Sequence, residues 1–165
     1  MSGHVKLGAG IRRRSGIRPD WTTADGFLDP LKLPLGPILT QALQEEDQQF
    51  RDACSVLAMI AGHGGQEAGV FLVGLLTECR PQPERLITIV SALPSFRSQA
   101  TVDALAGELH RVPSTNATRR YLNVVLDALT RLPRELWEPR LVEMSEDPHF
   151  SPKWRQKFGA AVGSS

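Results

Sequence analysis

Cysteine is scarce in this chain, which holds only Cys54 and Cys79. Their spacing makes neither a disulfide framework nor a metal-ligand pattern. Both fall within helical apolar patterns, so two buried thiols in a reducing compartment are expected. No apolar stretch approaches the roughly 20 residues needed to cross a bilayer. The first residues lack the apolar core of a secretory signal. Residues 1–19 do carry Arg and Ser without an acid, as a mitochondrial presequence would. Gly3, Gly8, Gly10 and Gly16 oppose the amphipathic helix such a segment forms, and the cytoplasm is the expected compartment.

Catalytic signatures are equally thin. The four histidines, His4, His63, His110 and His149, lie at least 39 residues apart in sequence, and no His-x-x-x-His or Cys-x-x-Cys occurs. No Gly-x-Ser-x-Gly elbow is present. Gly8-Ala-Gly10 lacks the third glycine and preceding strand of a dinucleotide site, and the Gly-Lys-Ser/Thr ending of a phosphate loop. No catalytic residue, metal or cofactor is expected, and the chain reads as a non-enzyme. Strand-like alternation between hairpin turns is also missing, which leaves an all-α fold.

What the chain does have is uneven charge. Its net of +1 conceals +4 over residues 1–20, where Lys6, Arg12, Arg13, Arg14 and Arg18 face Asp20 alone, and −4 over residues 21–50. Residues 1–36 are punctuated by Gly and Pro and read as an extended basic arm. Trp21, Phe27, Leu28, Leu31, Leu33 and Leu35 are too apolar for a solvated tail, so residues 21–36 are expected along the folded body. Arginines in a flexible setting suit phosphates or an acidic protein surface, because guanidinium forks match their oxygens. Arg12, Arg13, Arg14, Arg18 and Trp21 are therefore the candidate partner-binding residues, with a protein partner in a larger complex the first reading. Arg119, Arg120 and Arg131, within a C-terminal segment 113–165 of net +2, are candidate nucleic-acid contacts should helices align them. Glu45-Glu46-Asp47 reads as a solvated face, with contact to the arm as the sharper option.

From residue 37 to residue 163 the apolar residues follow helical spacing. Pro37 sits where a first helical residue would. Cys54, Leu57, Ala58 and Ala61 share a face over Arg51–Ala61, and Gly62-His63-Gly64-Gly65 stops that helix. A partner follows over about 66–78. Pro83 opens the next helix, which ends near Pro94, and Ser98 caps another. Ser114-Thr115-Asn116 begin a helix with Leu122, Val125, Leu126, Leu129 and Leu132 on one stripe. Leu136, Trp137, Leu141 and Met144 mark a further helix, and Ser151-Pro152 start the last. A loose recurrence of about 36 residues aligns Ile87–Leu93 with Asn123–Leu129. Such a period belongs to stacked helical hairpins, which build surfaces.

Residues 141–162 resemble one unit of the HEAT-repeat family in its short bacterial form. Leu141-Val-Glu-Met144-Ser-Glu-Asp147-Pro148 is similar to that family's first-helix end and Asp-containing turn. Lys153-Trp154-Arg155, Phe158 and Ala161-Val162 are similar to the start of its second helix. The resemblance implies that Asp147 and Arg155 tie neighbouring units together, and that the chain scaffolds or binds. The expected architecture is a short irregular α-solenoid of about three helical hairpins over residues 37–163, behind the arm.

Overall fold

The computed structural model describes residue 25, residues 27–79 and residues 81–164. Its described part is helical: α1 (Leu35–Ala42), α2 (Asp47–Gly62), α3 (Gln66–Gly74), α4 (Pro83–Ala92), α5 (Gln99–Arg111), α6 (Arg119–Thr130), α7 (Arg134–Glu146) and α8 (Pro152–Gly163). Short 3-10 turns occupy Pro30–Lys32 and Leu93–Ser95, and a π-helical turn, Leu75–Cys79, extends α3. Among the described residues no helix is long and apolar enough to cross a membrane.

Local chemistry explains the boundaries. Ser98 and Ser151 cap α5 and α8, accepting from Thr101 N at 3.2 Å and Trp154 N at 3.4 Å. Gly64, with φ of +96°, supplies the left-handed residue that turns the chain from α2 to α3. α1 starts two residues before Pro37, whose missing N–H falls in the first turn, where no intrahelical partner exists anyway. α2 starts at Asp47, ahead of the expected Arg51, because Phe50 N already reaches Glu46 O (3.0 Å) and Gln48 bonds Asp52 (2.7 Å). α6 starts only at Arg119. Thr118 Oγ1 accepts from Thr115 N (2.9 Å) and donates to Pro113 O (2.5 Å), so side chains hold residues 113–118 in turns instead of helix.

One expectation is overturned. Cys54 is buried, but Cys79 is exposed. The wide π turn buries Leu75 and Leu76 and leaves Thr77, Glu78 and Cys79 towards solvent, whereas a continued α-helix would keep Cys79 on the Leu72–Leu76 face.

Packing links the helices in steps of two. α2 packs on α4 and α4 on α6, while α3 contacts α5 and α5 contacts α7; α8 packs against α7 and α1 against α2. α2, α4 and α6 begin at intervals of 36 residues, at Asp47, Pro83 and Arg119. Corresponding positions in these helices and the turns that end α4 and α6 are buried: Phe50, Leu86 and Leu122; Ala53, Ile89 and Val125; Leu57, Leu93 and Leu129; Ile60, Phe96 and Leu132. Each large side chain so buried contributes about 1.5–3 kcal/mol of transfer free energy. This apolar ladder belongs to one continuous core that runs from Ala42 to Phe158.

Candidate functional site

The residues with the most chemistry gather where the C-terminal end of α5 meets the turn between α7 and α8. A cavity of about 270 Å³ opens there, with Leu109, Val112, Pro113, Phe150 and Trp154 among its lining. Aromatic contacts fix its walls. The Trp154 indole donates to Ser114 Oγ at 2.7 Å, and Phe158 stands beside both Trp154 (5.7 Å between ring centroids) and Phe150 (4.9 Å). Trp154 is 7% exposed, with the Lys157 ammonium 4.6 Å from its ring centroid.

Polar groups converge on the same place. His149 Nε2 lies 3.0 Å from the carbonyl oxygen of His110, and the two imidazoles stack with centroids 5.1 Å apart. Phe150 meets the His110 ring edge-on at 4.6 Å. Asp147 Oδ1 accepts from His149 N at 2.8 Å, closing the turn, and its Oδ2 lies 3.5 Å from His110 Nε2. Burial holds the His110 imidazole below its usual pKa. Asp147 opposes that shift, and His149 and Arg140 reinforce it. On α5, two residues before His110, the carboxylate of Glu108, 1% exposed, accepts from Tyr121 OH at 2.6 Å and from the Arg111 guanidinium. Glu108 thereby holds Arg111 at the cavity wall.

Most residues singled out by sequence lie elsewhere. Arg12, Arg13, Arg14, Arg18 and Trp21 are outside the described residues. Arg119, Arg120 and Arg131 are all exposed on or at the end of α6, but they do not form a free row. Arg119 donates to Asn116 Oδ1 (2.9 Å), and Arg131 is ion-paired with Asp127 (2.6 Å). Lys157 crosses from α8 to Asn123 on α6 at 2.6 Å, one turn beyond Arg120. Asp47, read as part of a solvated acidic face, pairs with Arg85 at 2.9 Å. Asp147 engages His110 on α5 and its own turn, and the buried Arg155 Nε has no hydrogen-bond partner among the described residues.

Sequence spacing concealed the histidine pair, because 39 residues separate its members. A signal was nonetheless present. α5 and α7 end 35 residues apart, at Arg111 and Glu146, so helices stacked at that period bring one terminus beside the next. The cavity neighbours Ser114 and Ser151 are engaged as acceptors for Trp154, through the indole N–H in one case and the backbone N–H in the other. Among the described residues no group of three or more His, Cys, Asp or Glu side chains could hold a metal ion. No family model, curated protein or solved structure matches this chain.

Proposed function

We propose that this chain is a non-enzymatic interaction module: a short α-solenoid that docks on a protein partner within a larger assembly, anchored by its basic arm. The observation that carries the reading is the 36-residue ladder of buried positions in α2, α4 and α6. Units that bury their apolar faces only against one another leave serial helix faces free for binding. In this reading the HEAT-like segment 141–162 closes the stack, and Arg12, Arg13, Arg14, Arg18 and Trp21 supply the anchor. The test is affinity purification with the full chain as bait, beside the same chain carrying Arg12, Arg13 and Arg14 changed to Glu. One or more stoichiometric, nuclease-resistant proteins should accompany the first bait and fall away from the second. A bait that remains alone under mild cross-linking would defeat the proposal.

A second reading rests on the seam between α6 and α8, where exposed Arg120 lies one turn from the Lys157–Asn123 contact. It makes the chain a nucleic-acid-binding subunit using the arm together with that basic ridge. The pairing of Arg119 and Arg131 within the protein leaves that ridge fewer uncommitted charges. Binding of DNA or RNA whose affinity falls log-linearly with salt would favour it. Loss of all captured partners on nuclease treatment would do the same.

A further inference from the structure

We infer that the cavity between the C-terminal end of α5 and the 147–151 turn is a docking pocket for an acidic peptide segment that inserts one large apolar side chain. The inference rests on the interaction reading above and names the chemistry of its partner.

Size and lining define the inserted group. About 270 Å³ bounded largely by Leu109, Val112, Pro113, Phe150 and Trp154 is too small for most cofactors, whose sites run to about 300–1,000 Å³. It exceeds the roughly 150 Å³ apolar cavity that accepts a benzene ring. A phenylalanine or leucine side chain matches it. Such anchors in well-packed pockets are what concentrates binding energy at protein interfaces.

Charge defines what surrounds the anchor. Residues 108–122 and 147–158, the two segments that build the pocket, carry Arg111, Arg119, Arg120, Lys153, Arg155 and Lys157 against Glu108 and Asp147. That is a net of +4 with the histidines neutral, in a chain whose total is +1. Glu108 and Asp147 are already engaged, by Arg111 with Tyr121 and by His110 with the 149 amide. The field left at the rim is positive and favours carboxylates on the incoming segment. The basic arm, at +4 over residues 1–20, has the wrong sign to be the occupant.

A nucleic acid shares the negative charge but fits the floor poorly. Trp154 is nearly buried and flanked by Phe158 and Lys157, so its ring does not offer an open face for a base. The pocket is also held open by internal bonds, the indole to Ser114 and His149 to the His110 carbonyl. Little ordering cost is left for binding.

The test titrates the isotopically labelled full chain with the terminally blocked peptide Asp-Asp-Phe-Asp-Asp and follows the amide and indole resonances. Saturable shifts should centre on the Trp154 indole N–H and residues 110–114 and 149–151. Replacing the phenylalanine by alanine, or all four aspartates by lysine, should weaken binding about tenfold or more. V112W, which fills the cavity, and K153E, which alters only an exposed rim charge, should each weaken it about fivefold while leaving distant resonances in place. Several outcomes overturn the pocket: no shift at about 5 mM peptide, equal affinity for the lysine peptide, or tighter saturation of the same residues by an oligothymidylate. Shifts there that grow with protein concentration alone would replace the acidic partner with a second copy. If V112W and K153E still capture every partner of the unaltered chain, the pocket fails and the interaction reading stands. A bait that captures nothing in any form sinks that reading instead.

Discussion

His149 donates across 39 residues of sequence to the backbone carbonyl of His110, at 3.0 Å, and its ring stacks on the His110 ring. This contact fastens the α7–α8 turn to the end of α5. The geometry requires a proton on His149 Nε2 if the imidazole is the donor, as it must be towards a carbonyl. H149A should therefore loosen the turn. The net loss of such a bond is about 1 kcal/mol, or about 2–4 °C in melting temperature for a domain of this size. Calorimetry checks the first figure, and faster amide exchange at residues 149–151 checks its location. Unchanged melting and exchange would assign the fastening to Asp147 and Phe150 alone.

His110 should make that region sensitive to acid. Burial lowers its pKa from the ordinary 6.5, and the unfolded chain then binds the proton more readily than the folded one. Stability from this source is complete above 6.5 and is lost as the pH falls through the lower folded value. Melting temperature should therefore drop between pH 7 and 5, with H110Q showing a shallower slope over the part of that window above the carboxylate range. A steeper slope in H110Q would mean that the Asp147 attraction outweighs burial, reversing the sign of the shift.

How much of this was legible in the sequence differs by element. α4, α5 and α8 announce themselves through Pro83, Ser98 and Ser151-Pro152, whose roles are local and need no tertiary information. α2 hid its place in the register because Ala53 and Cys54 stand where α4 has Ile89 and Val90; the phase is shared but the volumes are not. Cys79 was misplaced because a π turn leaves no mark in apolar spacing. The histidine pair was invisible for a different reason. Neither His110 nor His149 has a motif around it, and only stacking of α5 and α7 termini brings them together. The arginines of the basic arm, conversely, are conspicuous as sequence and fall outside the described residues.

Arg85 should prove a costly charge to remove. Its guanidinium donates to Gln44 O at 2.8 Å, to Glu45 O and to Asp47 Oδ1 at 2.9 Å, and it lies 4.7 Å from the Phe50 ring centroid. These bonds bind the α1–α2 connection to α4 and satisfy two of that connection's carbonyls. R85M keeps the aliphatic body but loses every donor, and should cost about 1.5–3 kcal/mol, the scale for bonds to a charged group. D47N should cost less than about 1 kcal/mol, since the Asp47 side chain is 67% exposed. Urea midpoints distinguish the two. Equal losses would mean that the ion pair, and not the carbonyl clamp, does the fastening.

Two glycines in helices should respond in opposite directions to the same substitution. A Cβ on Gly69, in α3, would overlap atoms of the Phe96 ring, itself one of the in-phase core positions. The ring is packed within the core, so relief requires moving it against neighbours already at interior density. G69A should cost about 1–3 kcal/mol by overpacking. Gly107, in α5, meets nothing within 4 Å, is exposed and has no positive φ. G107A should stabilise the chain by about 0.5–1 kcal/mol, because alanine loses less backbone freedom in a helix interior. Thermal or urea unfolding of the two variants side by side tests how α3 packs on the segment that follows α4. If G69A is as well tolerated as G107A, Phe96 is not held against α3, and the packing of α3 on the Leu93–Phe96 turn is looser than the close approach of Gly69 to the ring requires.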